Sequence, residues 1–479
     1  MSKAETETES SPEISLDISS SHKEYLVERH GRFDLDPLPQ SSDEDPLNWS
    51  PFIKMAQLVM VAFHAFSTTF MAAGLIPAFA MLAERFNTSI TACTYLTSAQ
   101  IIILGCFPFL WIPIMNRYGR RQLLLVSTLG SMIFNIGCMY SNTYGKMMVC
   151  RIFAAFMISP AVSVGGPVVS EVSFSHQRGS RTGLWAVMIT LGTHFGPFLM
   201  GFVEYQTGHI RNVFLIFVVM NAIQFLGYLI IGRETVYDKN IWHPGINTLW
   251  KIQPKTCYAL HWKVFIQPLT LFLNIKVLFA TIAYSICFSY ANIALGVELT
   301  TLYHEKYAFN SQQIGLQFIG LILGSILGEI LGGKMSDMWM NKKRKASNLY
   351  SGPPEYRLWL SYIGYVFVIV GLIVYGVMLD RDDSWTVVPV VGLALAGFGL
   401  QTVSTVLITY AIDTLPTRAS DISLFVTLVR QVLGFVGPFY FPPMLENPVL
   451  KISGTYCLLA GLVVVFAVIP TFYLHLQRN

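Results

Sequence analysis

Charged side chains are sparse along this chain and gather in short clusters separated by long uncharged stretches. Ile90–Ile114 carries no charged residue, and neither does Gln122–Tyr140. An apolar run of roughly 20 residues is long enough to cross a bilayer as a helix. The same pattern predicts twelve such spans, at about 54–82, 90–114, 122–141, 146–170, 183–203, 212–232, 275–300, 312–335, 356–379, 386–411, 421–443 and 453–475. Residues 115–121 join the second span to the third and hold Arg117, Arg120 and Arg121. Three arginines cannot lie in hydrocarbon, so this basic knot reads as a tight turn in water or at headgroups. Gly119 suits the turn because it tolerates positive φ.

Polar stretches divide the chain. Residues 1–50 are rich in Ser, Glu and Asp and lack apolar periodicity, which predicts a disordered tail. At its end Trp49 and Pro51 suggest an interfacial elbow leading into the first span. Residues 233–274 carry Lys239, Lys251, Lys255 and Lys263 and read as a linker between a bundle at 51–232 and a second at 275–479. Loops and span edges on the knot side hold about 20 Lys and Arg, against about 6 on the other side. The knot, the linker and both termini are therefore expected in the cytosol, consistent with an even number of spans. Asn87-Thr88-Ser89 is a candidate glycosylation sequon on the outer side, too close to the membrane for its use to be expected.

Composition narrows the functional class. Of 479 residues, 53% are hydrophobic and 13% charged. Soluble proteins average about 25% charged, so this surface cannot all face water. The net charge of +4 is dispersed over loops, which gives no nucleic-acid face. The seven cysteines show neither zinc spacing nor a disulfide framework. No P-loop, metal cluster or nucleophile elbow is present, which argues against an ATP-driven pump, an enzyme or a cofactor.

The two halves repeat. Glu171 and Asp413 lie 242 residues apart, Arg178 and Arg418 240, and the Gly-Pro pairs beginning at Gly196 and Gly437 241. Asn116 after span 2 is echoed by Asp337 after span 8, 221 residues on, with a longer loop following the second copy. Parallel six-helix repeats produce such near-constant offsets.

These residues resemble the major facilitator superfamily, specifically its fungal twelve-span drug:proton antiporter branch, over most of residues 45–475. Arg117-x-Gly119-Arg120-Arg121 matches the second half of that superfamily's loop 2–3 signature, Gly-x-x-x-Asp-Arg-x-Gly-Arg-Arg. The chain departs from it at Ile112, where Gly is expected, and at Asn116, which replaces the Asp. The resemblance implies a latch in which residue 116 docks on the start of span 11 and Arg120 or Arg121 pairs with Glu171. In the second copy, Asp337 with Lys342, Lys343 and Arg344, and Asp413, would do the same; otherwise these charges only set topology. Gly192-x-x-x-Gly196-Pro197-x-x-x-Gly201 resembles the superfamily's exporter signature in span 5, with Met200 in place of one glycine. Glycines four apart allow close helix packing.

Arg151 in span 4 resembles the superfamily's buried arginine associated with proton coupling, with snorkelling to headgroups as the alternative. Arg430, deep in span 11, is out of reach of either interface and points to a cavity or a buried pair. Glu329 in span 8 and His64 in span 1 are candidate proton carriers, His64 equally a core histidine. His194 is similar, and Glu298 stands near the outer end of span 7. The resemblance implies an all-α major facilitator fold of two six-helix pseudo-repeats with spans 1, 4, 7 and 10 around a central site. It implies a monomeric secondary transporter in the plasma or vacuolar membrane, whose partners are protons, lipid and a small-molecule substrate. Proton-coupled export of a drug or secondary metabolite is expected; the alternative is proton-driven uptake of an organic cation such as a polyamine, which requires carboxylates in the cavity.

Overall fold

A backbone in lipid must satisfy its own hydrogen bonds, which leaves helices as the building element for a chain this apolar. The computed structural model describes residues 19–31, 35, 37–237, 260–347, 354–415 and 418–476, and among these there are helices and no strand. Eleven helices are long and apolar enough to cross a membrane, and one bent pair completes a twelfth. Spans 1–6 are Pro51–Phe86, Ile90–Tyr118, Arg120–Met139, Tyr144–Val172, Arg181–Thr207 and Ile210–Ile230. Spans 7–12 are Ile275–Tyr307, Ser311–Gly332, Glu355–Arg381, Val388–Thr414, Ala419–Leu445 and Lys451–Leu476.

Several spans that read as straight are interrupted, span 4 among them between Ile158 and Ala161. Span 2 bends by 43° between Cys106 and Pro108, where the proline supplies no N–H to the turn before it. In span 1 the main helix ends at Ala73, a 3₁₀ turn follows over Ile76–Ala78 with Pro77 inside it, and Phe79–Phe86 resumes the helix. Span 7 contains a π-helical segment, Ser289–Ala294, at mid-depth.

The reading of residues 1–50 as a structureless tail is corrected from residue 19 onward; residues 1–18 lie outside the described residues. Ser20–His30 is a helix capped by the Ser19 side chain. Leu26 is fully buried in a small apolar cluster with Leu35, Leu47 and Phe174. Arg29 donates to the Asn48 carbonyl at 3.0 Å and to Asp43 at 2.5 Å. These few apolar residues are too widely spaced to register as a helical period. Within the linker, residues 238–259 lie outside the described residues, and Trp262–Leu273 forms a short helical segment.

Glycines set the closest contacts. A Cβ on Gly324 of span 8 would collide with the Ala394 carbonyl oxygen of span 10. One on Gly320 would sit 2.5 Å from the Val390 carbonyl, and one on Gly328 2.6 Å from that of Phe398. The obstacle in each case is backbone, which cannot swing aside. In span 5, Gly192 and Gly196 lie against the Phe66 and Phe70 carbonyls of span 1, and Gly201 against Ser311 and Gly315 of span 8. Thr69 reinforces the first contact by donating to the Ile189 carbonyl at 2.8 Å.

The halves meet on both sides of the molecule. Away from the knot, Thr300 of span 7 donates to the Ile76 carbonyl of span 1 at 2.7 Å, and Tyr95 of span 2 stacks on Phe439 of span 11 at 4.8 Å. On the knot side, Leu424 of span 11 joins an apolar cluster with Ile112 and Met115 of span 2 and Val164 and Val168 of span 4.

Gly324→Val should destabilise the protein by about 1–3 kcal/mol, the range for overpacking. Thermal unfolding of the detergent-purified variant checks this, with Gly461→Ala, which meets nothing within 4 Å, as a neutral control.

Candidate functional site

The charged knot builds upward from helix ends. Span 3 starts at Arg120, so its first N–H groups have no partner within the helix. Glu234 supplies one: its carboxylate accepts from Arg120 N at 2.8 Å and Arg121 N at 3.3 Å. A carboxylate at a helix N-terminus also meets the positive end of the dipole. At the other polarity, Arg121 donates to the Tyr228 and Leu229 carbonyls, at 3.2 and 2.9 Å, where span 6 ends. Arg120 reaches Glu171 of span 4 through Nε at 2.9 Å and Nη2 at 2.5 Å, and donates to Asn116 Oδ1 of span 2 at 3.2 Å. Arg117 lies 5.7 Å from the Tyr118 ring. Gly119 has φ of 97°, in the region open to glycine. One turn thus ties together the knot-side ends of spans 2, 3, 4 and 6. Of the two arginines the sequence offers to Glu171, Arg120 takes it.

The second half repeats the pair with a different cation. Asp413 of span 10 binds Arg357 Nε at 2.8 Å. Arg357 stands immediately before the span 9 helix just as Arg120 begins span 3, and the two lie 237 residues apart. The side chains of Asp337, Lys342, Lys343 and Arg344 lie outside the described residues. Arg418 binds Asp421 at 3.0 Å and the Gln267 carbonyl at 2.9 Å.

Between the halves lies a cavity. Its wall comes from spans 1, 2, 5, 7, 8, 10 and 11, including Thr69, Thr97, His194, Tyr284, Phe288, Asn292, Phe318, Gln401, Arg430 and Gln431. Span 4, which the resemblance places at the site, contributes no wall residue. Most of the wall is apolar or aromatic, and among the described residues no Asp or Glu belongs to it and Arg430 is its one charged group. Nη1 donates to the Tyr284 hydroxyl at 3.0 Å, and the guanidinium lies 4.8 Å from the Phe288 ring.

The other predicted residues divide. Glu329 stands beside the cavity, accepting from Gln401 Nε2 at 2.6 Å and Thr405 Oγ1 at 2.9 Å. His64 is fully buried among spans 1 and 6, with Nδ1 at 3.1 Å from the Tyr228 hydroxyl, and does not line the cavity. Arg151 is also fully buried and outside the cavity wall. It neither snorkels nor faces the cavity: its Nη1 and Nη2 donate to the Met71 and Ala72 carbonyls at 3.0 and 3.3 Å, at the break in span 1. Glu298, read as near the outer end of span 7, is 1% exposed. Asn87 caps the Phe79–Phe86 helix with φ of 51°. Sequence reasoning missed Glu234 and Arg357. The first follows a span end with no acid-base motif to mark it, and the second was masked by the longer loop before span 9.

Comparison with known proteins agrees with this arrangement. Residues 61–438 match the Major Facilitator Superfamily. The efflux pump radE of Floropilus chiversii is 24% identical, covering 91% of this chain and 82% of its own. The efflux pump vrtL of Penicillium aethiopicum is 26% identical, over 84% of this chain and 82% of its own. The crystal structure of the human organic anion transporter MFSD10 (TETRAN) shares the fold at a TM-score of 0.59 and 13% identity, covering 89% of this chain and 100% of that one. This chain is a multi-pass membrane transporter rather than an enzyme, and it belongs to the Major Facilitator Superfamily.

Proposed function

We propose that this transporter exports a small organic compound, a drug-like molecule or secondary metabolite, in exchange for protons at the plasma membrane. The observation that carries the reading is the mid-depth cavity between the halves: apolar, aromatic and without a carboxylate in its wall. A dication such as a polyamine needs acidic partners there, so the uptake alternative loses its chemical basis. The efflux pumps among the relatives support the outward direction. With the knot in the cytosol, the Thr300–Ile76 and Tyr95–Phe439 contacts lie on the extracellular side and must part for release. A pH gradient and a membrane potential, about 2.3 kcal/mol per charge at 100 mV, supply the driving force without ATP.

In this reading Glu329 carries the proton. It sits one hydrogen bond from the cavity, through Gln401, and uptake or loss of a proton changes what it can accept from that amide. The Asn116–Arg120–Glu171–Glu234 cluster is the cytoplasmic latch. The Arg120 side chain is only 6% exposed, so its charge depends on Glu171.

Proteoliposomes with an imposed pH gradient test the reading. Substrate-dependent proton movement opposite to substrate movement is expected, and its absence across a compound panel removes proton exchange. Glu329→Gln should lower gradient-driven transport at least about tenfold while leaving substrate counterflow without a gradient intact. Loss of both activities together would assign Glu329 to substrate binding instead. Glu171→Ala, by leaving Arg120 buried and uncompensated, should cost about 3–5 kcal/mol of stability. Pairing Glu171→Met with Arg120→Met should restore most of that stability but not the rate of transport, as measured by thermal unfolding and flux.

A further inference from the structure

Arg430 lines the cavity with one of its five N–H donors engaged by a side chain. Tyr284 engages Nη1, while Nε–H is buried and has no partner. No carboxylate lies within ion-pair distance of its guanidinium among the described residues. Glu329, on the neighbouring span 8, is committed to Gln401 and Thr405. What stabilises the charge is the face of Phe288 at 4.8 Å and, more distantly, the Tyr284 ring at 5.9 Å. Neither ring uses the in-plane N–H groups. The edge formed by Nε and Nη2 is the edge of a guanidinium that matches the two oxygens of a carboxylate.

We propose that Arg430 is the anion-binding residue of the cavity and that the transported compound is an organic carboxylate with a bulky apolar body. This rests on the reading of the cavity as the substrate site and names the class of substrate that fits it. The carboxylate pairs with the free edge of Arg430, and the apolar body lies among Phe288, Ile293 and Phe318. Tyr284 fixes the guanidinium so that its orientation does not have to be found on binding. The rest of the wall fits one anionic head: Thr97 and Asn292 are uncharged donors, and among the described residues no acid belongs to it. A neutral compound of the same shape leaves a buried charged donor unmet, and that deficit is the source of selectivity.

The test is binding to the detergent-purified full chain, without a pH gradient, of three acid and primary-amide pairs of graded size. These are benzoate and benzamide, 2-naphthylacetate and its amide, and 1-pyrenebutyrate and its amide. At least one acid is expected to bind about 10- to 100-fold more tightly than its amide, the range for a hydrogen-bonded charge. Arg430→Gln should abolish the preference while leaving the amide's affinity within about threefold, and Arg430→Lys should retain part of it. Matching melting curves for the three proteins separate lost recognition from lost folding. If amides bind and no acid binds more tightly, or if the preference survives Arg430→Gln, the assignment of Arg430 is wrong and the cavity reading stands. If no acid and no amide binds, both fall. A preserved acid preference without gradient-driven flux in proteoliposomes would instead overturn proton exchange and leave this inference intact.

Discussion

A helix that stops inside a bilayer leaves carbonyl oxygens that water cannot reach, and the break in span 1 poses this problem at the centre of the fold. The main helix ends at Ala73, and the turn that follows contains Pro77, which has no N–H to give. The carbonyls of Met71 and Ala72 therefore need donors from elsewhere. Arg151 of span 4 serves both, and Thr300 of span 7 adds a second donor to the Ile76 carbonyl, which the Phe79 N–H already meets. One break thus anchors a buried cation within the first half and creates a contact between the halves. It also lets the chain turn where Ala73 and Ile76 form part of the cavity wall.

Packing elsewhere obeys the same solvent. Burying leucine against another helix gains little where lipid is equally apolar, so close association relies on small residues. Gly320, Gly324 and Gly328 bring span 8 onto the carbonyls of span 10, and Gly192 and Gly196 bring span 5 onto those of span 1. Such contacts are rigid within each half. The contacts across the halves are mixed: one threonine hydroxyl, one pair of stacked rings, a patch of aliphatic side chains, and the close backbone approach of Gly201 in span 5 to Ser311 and Gly315 in span 8. The first three can separate without tearing backbone from backbone; the contact of span 5 with span 8 cannot.

The spans themselves were legible because a bilayer imposes a minimum length of uncharged residues that needs no tertiary context to recognise. The pseudo-repeat was legible for a similar reason, since Glu171 and Asp413 mark equivalent span ends. The interruptions were not. Pro108 and Pro77 stand inside apolar runs that hydropathy treats as continuous, and only the geometry shows that one bends a span and the other ends a helix. Partners across the fold were harder still. Glu171 could be matched to either of two arginines, one and two residues after Gly119, but the choice of Arg120 depends on which face of span 3 meets span 4. For Asp413, the dense basic cluster at 342–345 drew attention, while the residue at the equivalent fold position was the isolated Arg357.

The two intramembrane arginines show why residue type alone underdetermines role. Each carries a burial cost of at least about 2.5 kcal/mol at the membrane centre. Arg151 meets it with two carbonyl oxygens at the negative end of a helix, where a cation is favoured by the dipole as well as by hydrogen bonds. That geometry is fixed by the backbone, encloses the side chain fully and keeps it out of the cavity wall. Arg430 meets it with two aromatic faces and one hydroxyl, an arrangement that stabilises charge while leaving an edge of the guanidinium open to an acceptor. Both keep a buried Nε–H without a partner, and what separates them is that Arg151 gives both Nη groups to backbone carbonyls whereas Arg430 gives one to a side-chain hydroxyl of the cavity wall. By that distinction Arg151 is tied to the backbone of the first half, and Arg430 to the wall of the cavity between the two.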